Sequence, residues 1–146
     1  MTTSSDIIDA IKTTILADAT LKAWVQTVPK GSGRLHIFDD RRDPTPGTNQ
    51  KPAVVIEEDP AWEFLERELN TNDRPIKQIF ALVCWLPEKP DEDIAGTFAN
   101  HIIRIINAND TLGGVIFDIT PSGYYEREGS EPYEQLVIEC DTQRDP

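Results

Sequence analysis

Carboxylates and guanidinium groups crowd into five consecutive residues, Asp39-Asp40-Arg41-Arg42-Asp43. A divalent cation needs two or three carboxylates converging on one point, and two arginines among them compete for those charges. The segment is therefore expected to be a solvated or interface loop, with Arg41 and Arg42 able to pair with an acidic neighbour. Gly113-Gly114, within "NANDTLGGVIFDI" (107–119), raises a second possibility, a phosphate cradle. Cradles run strand, glycines, helix, because a helix N-terminus supplies free N–H groups and the positive end of the dipole. Here the order is helix, glycines, strand. The glycines are expected to close a helix C-terminus in the left-handed conformation instead.

The remaining reactive side chains form no nucleophile motif. His36 lies in an alternating segment, out of phase with Leu35 and Ile37, and His101 flanks an apolar helical stripe. No Gly-x-Ser-x-Gly is present, and neither cysteine has a compelling partner. Cys84 and Cys140 sit in apolar segments and read as buried, reduced, small hydrophobes. The short Cys and His spacings of a zinc site are absent. A carboxylate-only hydrolase leaves no such mark, but nothing singles out a pair of acids. The expectation is a protein that is not an enzyme and takes neither metal nor cofactor. Trp62, Phe64 and Leu65 lie among acids between two strand candidates. They are either an interface or a cover for one end of the core.

These residues need a scaffold, and 146 residues suffice for one domain with a real core. The formal charge of −12 is uneven. Residues 1–52 carry seven Lys/Arg against six Asp/Glu, while residues 53–146 carry seven against twenty. That balance argues against tight binding to a phosphate backbone, which needs clustered cations. No apolar run of 18 residues exists, so no membrane span is expected. The N-terminus lacks the basic start and apolar core of a signal peptide, which makes cytoplasmic synthesis the expectation.

Apolar residues at Ile7, Ile8, Ile11, Ile15 and Leu16 predict a helix over 6–17, with Ser4, Ser5 or Asp6 as N-cap. Asp18 can cap a second short helix carrying Leu21, Trp24 and Val25. "RLHIF" (34–38) alternates as a strand, and the polar segment 39–52, with three prolines, is a long loop. "AVVIEE" (53–58) and "PIKQIFALVCWL" (75–86) read as strands, separated by an inserted segment at 59–74. Asp91 caps the longest helix, whose core stripe is Ile94, Phe98, Ile102, Ile105 and Ile106. Strands at 115–126 and 133–142 close the chain. The order α–β–β–β–α–β–β contains no repeating strand–helix–strand unit. It predicts a single α+β domain: an antiparallel or mixed sheet of four to five strands with two main helices packed on one face.

This arrangement resembles the tail terminator, or minor tail protein, family of tailed bacteriophages, which includes that of phage lambda. The residues that carry the likeness are Asp91–Asp93 with Ile94, Ile102 and Ile106 on the long helix, the turn Asn109–Gly114, and the strand Val115–Ile119. The ending "EPYEQLVIECD" (131–141) is also similar to the family's last strand. The likeness spans residues 5–141, and its marks are a pattern of helix, turn and strand rather than a catalytic signature. Neck, head–tail connector and tail-completion proteins share the same small α+β character.

The resemblance implies a virion protein of the tail–neck region, assembled in the host cytoplasm as a homo-hexameric ring. Such a ring caps the tail tube, stops its elongation and offers a surface to the head connector or neck protein, with the sheath protein as a further neighbour. DNA would pass through the bore without specific binding. Six copies at −12 each carry a formal charge of about −72, which disfavours DNA adhesion if acids line the bore. Ring subunits meet head to tail through two different patches. The cations of the near-neutral first third, Arg34, Arg41 and Arg42, set against the acidic remainder are one such pairing.

Overall fold

The computed structural model describes residues 2–58, 76–87, 92–127 and 135–144. Three helices, α1 (Ser4–Leu16), α2 (Ala19–Val25) and α3 (Glu92–Ala108), accompany five strands. The strands are β1 (His36–Asp39), β2 (Ala53–Glu58), β3 (Ile76–Trp85), β4 (Asp118–Glu126) and β5 (Gln135–Arg144). They form one mixed sheet in the order β1-β2-β3-β5-β4, parallel only between β1 and β2. The fold is α+β, as the order of elements predicts. The inserted segment 59–74, the cap at Asp91 and the turn between the last two strands lie outside the described residues.

Alternation along the strands sorts the sheet into two faces. Val54 and Ile56 of β2, Phe80, Leu82 and Cys84 of β3, and Leu136, Ile138 and Cys140 of β5 share one face. They are buried with Ile7, Ile8, Ile11 and Ile15 of α1 and with Phe98, Ile102, Ile105 and Ile106 of α3. Leu21 and Val25 place α2 against the same core. The other face carries a smaller buried cluster, Val55, Val83 and Val137, with Phe38, Ala81 and Trp85 against it. Both sides of β3 are covered toward its end, which explains why its sequence is apolar at nearly every position there.

The helix termini follow local chemistry. The N-cap of α1 is Thr3, not Ser4, Ser5 or Asp6: its hydroxyl accepts the Asp6 N–H at 3.1 Å, and the Asp6 carboxylate accepts the Thr3 N–H at 2.8 Å. Asp6 thus closes a capping box from the third helical position. Asp18 caps α2 as expected, accepting the Leu21 N–H at 2.8 Å.

The turn after α3 differs in detail from its prediction. The left-handed residues are Leu112, Gly113 and Gly114, at φ 48°, 71° and 91°, in a 3₁₀ turn beyond the helix end. The Asn109 side chain donates to the Ile105 carbonyl at 2.8 Å, closing the helix itself. The chain then needs Val115 and Ile116 to complete the turn, the Ile116 N–H bonding the Thr111 carbonyl at 3.2 Å. Strand β4 consequently starts at Asp118 and not at Val115. Phe117 is left at its threshold.

Candidate interaction surface

The Asp39–Asp43 segment closes one edge of the sheet. The amides of His36 and Asp40 bond inward to the carbonyls of Pro52 and Ile56, so by alternation the Asp39 amide points away from β2. The Asp43 carboxylate accepts it at 2.8 Å, and Asp39 in turn accepts the Arg41 amide at 3.0 Å. An open edge strand is a template for unwanted pairing, and a carboxylate folded onto its outward amide removes one donor. Arg41 reaches Glu58 at 2.8 Å and Asp39 at 3.4 Å, and Arg42 meets Asp39 at 3.4 Å. Both arginines also contact the Ser5 hydroxyl. The segment is a structural turn in which cations hold carboxylates.

These pairs continue into a polar network beneath the start of α1. Gln78 donates to Ser4 at 2.9 Å and contacts Glu58, while the Ser4 hydroxyl donates to Glu58 at 2.8 Å. Arg144, 1% exposed, donates to the Gln78 side chain at 3.0 Å and to the Thr2 carbonyl. The Thr142 hydroxyl donates to the Gln78 carbonyl at 2.8 Å. Burying these groups is tolerable only because each is bonded. The network fastens the N-terminal segment to the end of β5.

Arg34 stands apart from Arg41 and Arg42. It lies just before β1, where an open hollow of about 220 Å³ is lined by Leu16, Lys22, Gln26, Gly33, Arg34 and Leu35. Leu16 and Leu35 are half-buried, while Lys22 and Arg34 are exposed. Neither cation has an ion-pair partner among the described residues. Trp62, Phe64 and Leu65, the other candidate interface residues, lie outside the described residues.

The opposite edge, β4, is different in kind. Phe117, Tyr124 and Tyr125 are 54%, 42% and 51% exposed, and among the described residues they are the exposed large hydrophobics. All three belong to β4 or its threshold. Pro121 has no amide to offer along this edge, and the register shifts between Pro121 and Tyr124. Backbone pairing with another strand is thereby discouraged, and side chains dominate the edge. The Tyr125 hydroxyl bonds Glu139 at 3.2 Å, on the face carrying Val137. Tyr124 leans over α3, where a Cβ at Gly96 would lie 2.9 Å from its hydroxyl.

Phe117 has no such tie among the described residues. Asp118 follows it directly, its carboxylate accepting the Thr120 hydroxyl at 2.8 Å, and the Asp110 carbonyl accepts the Ile119 N–H at 2.8 Å. Asp141 faces Thr120 on β5, and Lys77 lines the same shallow depression. Asp110 and Asp118 take part in no ion pair among the described residues.

Two further pairs cross between elements. Arg127, at the end of β4, reaches over the sheet to Glu57 of β2 with bonds of 2.7 and 3.1 Å. On the helical side, Arg104 of α3 grips Asp18 at 2.9 and 3.3 Å. This hydrogen bond, ahead of all other causes, holds the Asp18 carboxyl below the usual carboxylate range. His101 packs on Trp24, with ring centroids 5.5 Å apart, and contacts Arg104 at 3.1 Å. Burial, then the neighbouring guanidinium, lowers its pKa. His36 sits on the second face, stacked on Phe38 at 6.3 Å.

The cysteines are free and buried, and burial pushes the Cys140 thiol up to about 12. Among the described residues no group of three or more His, Cys, Asp or Glu is placed to hold a metal ion. No helix among them is long and apolar enough to cross a membrane. Phe117, Lys22 and Leu35 were not singled out by the sequence: each lies inside a run that reads as core or as an ordinary helix face. No family model matches this chain, and a search of curated proteins finds no match either.

Proposed function

We propose that this chain is a structural ring subunit of a bacteriophage tail, of the tail terminator kind. In this reading six copies join head to tail into a ring that caps the tail tube, ends its elongation and presents a surface to the head connector. The observation that carries it is the exposure of three large aromatics, Phe117, Tyr124 and Tyr125, along one sheet edge, far from the closed edge at β1. Phe117 stands at one end of β4 and the two tyrosines, on opposite faces, at the other; exposed large aromatic side chains are frequent anchors of protein association. The edges differ in chemistry, aromatic and acidic at β4 but bordered by cations before β1. Unlike edges suit a head-to-tail contact, which closes into a ring when the rotation between copies permits. The charge of −12 per copy fits a bore through which DNA must slide without adhering.

The test images the purified chain alone and with polymerising tube protein from its own genome. Rings, and tubes that stop growing with a ring at one end, are expected. Rings that leave tube growth unchanged and bind the head connector instead would assign the chain to the neck. A chain that stays monomeric in both settings overturns the ring reading.

A further inference from the structure

The two unlike corners described above lie far apart within one chain. Phe117 stands before β4 on one edge of the sheet, and Leu35 stands before β1 on the other. Four strand spacings separate β1 from β4, roughly 19 Å across the sheet. They also lie at opposite strand ends. Asp118 aligns with Gln143 and, through β5, with Lys77, whereas His36 aligns with Ala53, Trp85 and Gln135. Knob and hollow therefore occupy diagonal corners and cannot meet within one chain.

We propose that Phe117 of one copy seats in the hollow of the next, between Leu16 and Leu35, with Lys22 and Arg34 facing Asp110 and Asp118. This rests on the ring reading and names the contact that would build it. Size agrees: a dry cavity of about 150 Å³ accommodates benzene, and the hollow offers about 220 Å³. Chemistry agrees at two levels. The half-buried leucines give an apolar floor for a ring that is 54% exposed in the single chain. The rim carries two cations, and the knob is followed in sequence by Asp118, with Asp110 joined through its backbone to Ile119; none of the four is in an ion pair among the described residues. Arg41 and Arg42 are excluded from this role because Asp39 and Glu58 already hold them.

The contact is heterologous: each copy gives a knob on one side and a hollow on the other. A chain built this way forms a ring if the rotation closes.

Sedimentation of the intact chain and its variants over a concentration series, with disulfide cross-linking of cysteine variants, tests the proposal. Phe117→Ser and Arg34→Glu are each expected to weaken assembly about tenfold to a hundredfold, the range that follows from losing one buried aromatic or reversing a contact charge. Arg34→Asp combined with Asp118→Arg should recover most of the loss. Phe117→Cys with Leu35→Cys should give a ladder of oxidised multimers, whereas mixing the two single variants should give dimers only. Both native cysteines are buried and stay out of this chemistry. Wild-type oligomers that persist in Phe117→Ser and fail to cross-link through 117 and 35 overturn this contact while leaving the ring standing. A wild-type chain that is monomeric at every concentration, and on tubes, removes the ring reading and this contact together.

Discussion

Asp18 performs two tasks that substitution can separate. Its carboxylate caps α2 through the Leu21 amide and binds Arg104 across 86 residues of sequence. Asp18→Asn keeps a capping oxygen and loses the ion pair. Because Arg104 is 47% exposed, solvent screens the pair and the loss should be about 0.3–1 kcal/mol. Asp18→Ala also loses the cap, adding about 1 kcal/mol. The pH dependence has a definite sign. A carboxyl whose folded pKa is depressed contributes stability that is present above its unfolded value and lost as pH falls through the depressed one. The gap between wild type and Asp18→Asn in urea melts should therefore be full at neutral pH and close in acid. His101 works in the same direction: with its pKa lowered, the unfolded chain binds its proton more readily, so acid again favours unfolding. A gap that is unchanged from pH 7 into acid would show that the Arg104 pair contributes nothing. The cap was legible in the sequence, since Asp before an apolar-periodic run is a local signal. Its partner on α3 was not, because nothing local connects residues 18 and 104.

At the scale of elements, Gly96 is the informative position in α3. Glycine inside a helix costs about 1 kcal/mol relative to alanine. A Cβ there would stand 2.9 Å from the Tyr124 hydroxyl, the far end of a side chain that is itself 42% exposed. The ring can move outward, so Gly96→Ala should be neutral or stabilising by up to about 1 kcal/mol. In a Tyr124→Phe background the obstacle is gone, and the same substitution should gain nearly the whole amount. Thermal melts of the four-member cycle measure this; a loss in both backgrounds would mean that α3 and β4 approach more tightly than this. The helix stripe around Gly96 was readable because Phe98, Ile102, Ile105 and Ile106 recur at helical spacing. Strands β2 and β3 were readable from apolar runs bounded by polar or proline residues. The covering of both faces of β3 was legible in its nearly continuous apolar run; the parallel β1–β2 pair and the placing of β5 between β3 and β4 were not. They depend on which strands meet, and periodicity along one strand carries no such information. The start of β4 was misread for a related reason: Val115, Ile116 and Phe117 look like strand, but the backbone from Thr111 to Ile116 is spent on a turn. That misreading concealed Phe117 as a surface residue.

For the whole molecule, net charge and local charge oppose each other in assembly, and salt separates them. Each copy carries −12 and repels every other copy. The proposed contact places Lys22 and Arg34 against Asp110 and Asp118, an attraction confined to a few ångströms. At 0.01 M salt the screening length is about 30 Å, wider than the roughly 19 Å from one sheet edge to the other, so the full charges of neighbours interact. At 0.15 M it falls to about 8 Å, which removes most of the repulsion and spares pairs in contact. Near 1 M it is about 3 Å, the contact pairs are screened as well, and the Phe117 burial remains. Assembly measured by sedimentation should therefore strengthen from 0.01 to 0.15 M and change little, or weaken slightly, toward 1 M. Arg34→Glu removes the local attraction and adds to the repulsion, so its assembly should rise with salt throughout the range. A wild-type chain whose assembly weakens steadily from the lowest salt would mean that pairing between opposite charges outweighs net repulsion. The acidic majority of the chain would then lie away from the contact between copies.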